Sequence, residues 1–145
     1  MEFNPFVDGY YKDRTRDVIR ACEYAYDLDS GNFLYDNGRM FKVYDNEALK
    51  IKLWKLFMSE RYRWEVFPWD YGHELETLIG KAYTIGYINS EAKRYVEECI
   101  YRVLHDYIIK LEDLKIEFNN GTLFISFVAI TIYGVLEIDS LKVRL

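Results

Sequence analysis

Residues 122–133, TLFISFVAITIY, limit the fold more than any other stretch. In an extended chain Leu123, Ile125, Phe127 and Ala129 fall on one side and Phe124, Val128, Ile130 and Ile132 on the other. A strand apolar on both sides has to be covered on both, by helices or by a neighbouring molecule. Its sequence neighbours are also extended. Leu114, Ile116 and Phe118 alternate with Lys115 and Glu117, and Asn119-Asn120-Gly121 supplies a turn between the two runs. Gly134 breaks the central run, and residues 135–138 and 141–145 read as two short strands around Asp139-Ser140.

Two helices offer the cover. Ala92, Tyr95, Val96, Cys99, Ile100, Val103, Tyr107 and Ile108 keep a 3.6-residue stripe over about five turns, capped by Asn89 or Ser90. Residues 83–88, with Gly86, read as the connector before it. Earlier, Leu49, Leu53, Leu56 and Phe57 recur at helical spacing opposite Lys50, Lys52 and Lys55, with Trp54 on the shoulder. That amphipathic helix spans roughly 13 residues, with Asp45 or Asn46 as its cap. A short helix over 74–79 has acids in its first turn and Gly80 to close it.

The N-terminal part is built from turns. Residues 1–11 read as an arm and 12–21 as a short helix. Tyr24, Tyr26 and Leu28 alternate as a strand. Asp27, Asp29 and Gly31 open like a calcium loop, but its twelfth position is Gly38, which cannot supply the bidentate acid, so a turn is the better reading. Asp36-Asn37-Gly38 between two apolar runs signals a hairpin. Strands segregated from helices give an α+β fold, with helices on one face of a small mixed β-sheet, an N-terminal β-hairpin and a C-terminal β arm. The organisation is an arm over 1–23, a domain over 24–134 and a β arm over 135–145.

Composition narrows the function. The chain has 145 residues, enough for one self-sufficient core. Its net charge of −5 opposes nucleic-acid binding, which needs a basic stripe. No run approaches the ~18 apolar residues of a membrane span. Glu2, Asn4, Pro5 and Asp8 stand where a signal peptide would be apolar, and Cys22 and Cys99 fit reduced thiols, so folding in the cytoplasm is expected. The only histidines, His73 and His105, read as surface or interface residues and have no zinc spacing with the cysteines. No nucleotide, nucleophile or metal motif occurs, so no catalytic residue, metal or cofactor is expected. Fourteen tyrosines, apolar with a polar tip, suit a protein that is largely interface.

The ring-rich stretch 59–72, SERYRWEVFPWDYG, is the strongest single motif. Pro68 interrupts any helix, Gly72 permits a sharp turn, and the aromatics favour a rigid loop with hot-spot composition. Ser59, Glu60, Arg61 and Tyr62, then Trp69, Asp70, Tyr71 and Gly72, then Glu74, Leu75, Leu78, Ile79 and Gly80 resemble the signature of the XkdS-like tail proteins of Gram-positive prophages. These are a branch of the baseplate-wedge (lysozyme-like, sheath-initiator) family of contractile tails. The resemblance runs from about Tyr24 to Ile138.

The resemblance implies a structural, non-enzymatic subunit of a phage tail or phage-tail-like particle. It implies a hexameric assembly with other baseplate wedge proteins, tail sheath subunits and tube or hub proteins as partners. The implied contact residues are Glu60, Arg61, Tyr62, Trp64, Trp69, Asp70 and Tyr71 in the ring-rich stretch. His105, Asp106 and Tyr107 stand where the family carries Glu-Pro-Arg; the proline and arginine are missing, so the bidentate arginine contact is lost. Leu141, Val143 and Leu145 lie on a terminal strand whose free edge would seed the sheath, with Lys142 and Arg144 discouraging premature pairing. A cell-wall hydrolase is the alternative from the family label, and a free adaptor domain a third.

Overall fold

A computed structural model describes residues 18–59, 71–78, 85–119 and 121–144. In chain order the elements are β1 (Cys22–Tyr24), β2 (Tyr26–Asp27), β3 (Asn32–Phe33), β4 (Tyr35–Asp36), β5 (Arg39–Met40), β6 (Lys42–Tyr44), α1 (Asp45–Met58), a 3-10 turn (Leu75–Leu78), α2 (Ile85–Leu104), β7 (Ile108–Asn119), β8 (Thr122–Thr131) and β9 (Gly134–Arg144).

The first six strands form three two-stranded antiparallel ladders, β1 with β6, β2 with β3 and β4 with β5. They meet at Ala25, whose amide donates to the Phe41 carbonyl (2.8 Å) and whose carbonyl accepts from Leu34 (3.0 Å). Ala25 is buried there, and the junction splits the strand expected through Tyr24, Tyr26 and Leu28 in two. The Asn37-Gly38 hairpin forms as its sequence requires: both residues have positive φ, 49° and 75°, which a two-residue primed turn demands. The turn after Asp27 also forms, with the Gly31 amide donating to the Asp27 carbonyl (2.9 Å).

The helix expected over 12–21 is not borne out in its described part. Residues 18–21 are irregular, because their backbone bonds go to distant partners: Ala21 accepts from the Asp45 amide (3.1 Å) and Ile19 from the Tyr107 hydroxyl (2.8 Å). Residues 12–17 lie outside the described residues. Neither Asp45 nor Asn46 caps α1; Tyr44 holds the cap position with no side-chain bond. Asp45 pairs with Arg20 (2.8 and 3.0 Å), and Asn46 turns toward the sheet. α1 buries Leu49, Leu53, Leu56 and Phe57 as its spacing predicts. The short helix after the ring-rich stretch is a single 3-10 turn.

α2 begins earlier than its expected caps. Ser90 is inside it, with its hydroxyl bonded to the Gly86 carbonyl (2.9 Å), so Gly86 is helical rather than part of a connector. It also stops earlier than the stripe predicts. The Tyr107 carbonyl is taken by the Ile132 amide (2.9 Å), which draws Ile108 into β7.

β8 is the middle of a three-stranded sheet in the order β7-β8-β9. Every described ladder is antiparallel, where a mixed sheet was expected; the α+β architecture itself is as read. Leu123, Ile125, Phe127, Ala129 and Thr131 of β8 are buried with Leu136, Ile138, Leu141 and Val143 of β9, in one core with α1 and α2. The opposite face, Phe124, Ser126, Val128 and Ile130, is half-exposed, so among the described residues the sheet is covered on one side only. The register places Lys110, Glu112, Lys115 and Glu117 of β7 and Glu137 and Lys142 of β9 beside that central stripe. β9 is one continuous strand rather than two: its pairing passes from Phe127↔Ile138 to Ile125↔Leu141, so Asp139 and Ser140 form a bulge. Gly134 opens this strand, at φ 117°.

Candidate interaction surface

Glu60, Arg61, Tyr62, Trp64, Trp69 and Asp70 lie outside the described residues, with the rest of residues 60–70 of the ring-rich stretch. Its two flanks meet. The His73 amide donates to the Ser59 carbonyl (3.1 Å), and the Ser59 hydroxyl closes α1 on the Lys55 carbonyl (2.9 Å). Tyr71 is half-buried against the core. Burial first, then the Glu23 and Cys99 charges, push its hydroxyl up to about 12. Gly72 sits at φ 105°, and its carbonyl accepts from the Cys99 thiol (2.9 Å) and the Arg102 guanidinium (3.1 Å) of α2. Cys99 is thus a buried core thiol, as its stripe position implies. His73 corrects the sequence reading: it is 4% exposed, stacked on Phe57, with Nδ1 accepting from the Leu75 amide (3.3 Å).

Around the end of α2, His105 and Asp106 are exposed and face each other, Nε2 to Oδ1 3.3 Å. Tyr107 points back into the fold. Its ring stacks on Tyr133, and its hydroxyl, raised mainly by burial, donates to the Ile19 carbonyl. With the Tyr133 hydroxyl accepting from the Ala21 amide (2.9 Å), it straps residues 18–21 across the β8–β9 turn.

At the C-terminus Leu141 and Val143 face the core, 5% and 1% exposed, while Lys142 faces solvent. Leu145 lies outside the described residues. Contact with another molecule at this strand therefore falls to its backbone edge and its outward side chains. β9 pairs only with β8 among the described strands. The two-residue turn that joins Thr131 to Gly134 makes that pair a bonded one, so alternation turns the backbone groups of Val135 and Glu137 away from β8. Asn46 meets the first of these, its Nδ2 3.4 Å from the Val135 carbonyl.

The structure separates two of the candidate groups and joins two others. Tyr107 adjoins the β7 end paired with Thr131, and Val143 pairs with Leu123. The two positions are eight residues apart along β8, roughly 26 Å at strand rise. Leu141, by contrast, shares a groove of about 730 Å³ with His73, next to the flanks of the ring-rich stretch.

One surface escaped the sequence reading. Tyr24, Phe33, Leu34, Tyr35, Met40, Phe41 and Tyr44 on the N-terminal ladders are each 38–64% exposed. The signal was available: residues 22–44 are broken by turns so often that no strand there is long enough to bury its own aromatics. What fixes these ladders is electrostatic as well as apolar. Glu23 on β1 receives Lys52 (3.1 Å) and Lys55 (2.7 Å) from α1. Burial alone would raise its carboxyl, but the two lysine hydrogen bonds and charges outweigh burial and hold it below its ordinary value.

The domain is α+β, with β9 at the edge of its sheet and large aromatics exposed on the N-terminal ladders. Residues 22–134 match the family model of the contractile injection system sheath initiator, and the chain belongs to that family. It is a sheath initiator, and so a component of a contractile injection system or phage-like particle that meets sheath and baseplate components. Its sequence is similar to the phage-like element PBSX protein XkdS of Bacillus subtilis (strain 168). The two are 29% identical over 142 residues, covering 96% of this chain and 95% of that one.

Proposed function

We propose that this sheath initiator is a non-enzymatic subunit of the baseplate wedge, present in six or a multiple of six copies beside the tube. The free edge of β9 takes an extended strand from the first sheath subunits, and this starts sheath polymerisation. One observation carries the reading. β9 has its alternate side chains anchored in the core and its outer backbone groups unpaired by any described strand. Such an edge aggregates unless a partner is meant for it, and Lys142 beside it discourages self-pairing.

Glu137→Pro tests this. It removes an outward amide while leaving the β8 side of the ladder intact. The expected product is baseplates and tubes without sheath in electron micrographs; fully sheathed tails from this variant would remove the seeding role.

The ring-rich stretch, through Glu60, Arg61, Tyr62, Trp64, Trp69, Asp70 and Tyr71, docks on other wedge proteins, with His105, Asp106 and Tyr107 as a second contact. The Trp69→Ala, Arg61→Ala double variant is expected to lower incorporation into baseplates. Normal, contractile particles from it would end that assignment.

A further inference from the structure

The groove that Leu141 shares with His73 runs along β9 at residues 140–142. Its opposite wall is the turn at 28–31, and Trp54, Phe57 and Met58 of α1 complete it. We propose that this groove is a strand-binding slot whose far wall selects the partner: an extended segment of a tail sheath subunit, with an apolar side chain directed at Trp54 and Met58 and a basic side chain beside Asp29. This rests on the reading that β9 accepts a sheath strand, and it adds what the strand must look like.

Three observations point there. First, the edge is not equally open along its length. At its start Asn46 lies against the Val135 carbonyl, whereas at residues 140–142 it borders the groove. A strand added to β9 lies about 4.8 Å from it, and so enters the groove rather than open solvent. About 730 Å³ is within the range that holds a ligand-sized segment.

Second, the α1 side of the groove is apolar and its aromatic ring is held in place. Trp54 stacks on Tyr26 at 4.8 Å and 29°, which fixes its ring, and Met58 is 46% exposed beside it. A fixed aromatic and an adaptable thioether suit one large apolar side chain. Third, the rim is charged. Asp29 is exposed at the turn, and Asp27 is close in the same turn, its carboxylate accepting from the Asp29 amide (3.0 Å). The only cation lining the groove among its described residues is Lys142, on the β9 side. An incoming basic residue therefore fits at the turn and not at the strand. A bulge at Asp139 and Ser140 adds local twist where the edge enters the groove.

The test uses assembled baseplates and the sheath subunit of the same particle. A photo-reactive benzoylphenylalanine replaces Met58, and the cross-linked partner is identified by mass. In parallel, sheath nucleation is timed for Asp29→Lys, Met58→Asp and Glu137→Pro, all exposed positions, with thermal melts to confirm folding. The slot predicts a cross-link to the sheath subunit and nucleation slowed about tenfold by each wall variant, a change of ~1.4 kcal/mol in strand binding. Loss of sheath in Glu137→Pro alone, with normal nucleation in both wall variants and no sheath cross-link, would overturn the slot and leave the edge reading standing. Normal nucleation in all three would overturn both. A cross-link from position 58 to a second copy of this chain, or within the chain, would also overturn the slot.

Discussion

Glu23 shows how a single side chain ties two parts of the chain. Its carboxylate, 15% exposed, bridges Lys52 and Lys55 and so fastens β1 to α1. Removing its charge leaves two lysines facing a part-buried site without a partner, so Glu23→Gln is expected to cost about 1–2 kcal/mol, read as a lower urea midpoint with unchanged slope. The sign of the pH effect follows from the depressed carboxyl. Its stabilisation is fully present above the unfolded value near 4.5 and is lost as pH falls through the lower folded value. An acid titration of wild type against Glu23→Gln checks this: the stability gap should shrink as pH falls below 4.5. None of this was legible in the sequence. Glu23 was one of twenty-four acids, and only the fold sets it opposite one face of α1. His73 failed for the same reason, since a histidine near a glycine carries no mark of whether a phenylalanine lies above it.

At the scale of elements, local chemistry was a good guide wherever the bonds are local. Asn37-Gly38 makes its turn because two consecutive positive φ values exclude most residues. A Cβ on Gly38 would meet nothing within 4 Å, so Gly38→Ala tests the backbone term alone. It should cost about 1 kcal/mol. The loss is expected to show as faster amide exchange in β4 and β5, with β7–β9 unchanged, because a two-residue ladder has little reserve stability. The apolar stripe of α2 and the alternation of β7 and β8 were read correctly on the same basis. Element ends were read less well. Asp45 and Asn46 have the chemistry of caps, yet Arg20 claims one, and the Thr131 hydroxyl, donating to Asn46 Oδ1 at 2.7 Å, claims the other. A long-range bond outcompeted a local one in both cases.

For the whole molecule, the assembly reading carries a negative expectation with its own measurement. Among the described residues no group of three metal-ligating side chains forms. His105 and Asp106 are exposed and face each other. On the non-enzymatic reading proposed above, purified protein added to cell-wall suspensions is expected to leave turbidity unchanged at any pH from 5 to 8; clearing would establish a hydrolase and end that reading. Neither described helix is long and apolar enough to cross a membrane.

The residue order by itself determined the α+β class, the buried faces of α1, α2 and β8, and the family signature, because each depends on periodicity or on adjacent residues. It also showed that β8 is apolar on both sides. Only the tertiary structure decided that helices cover one of those sides. It set β9 at the edge with its side chains buried, and it brought the turn at 28–31 opposite residues 140–142. Those outcomes depend on contacts a hundred residues apart, whose energies are fixed by packing and not by any local pattern.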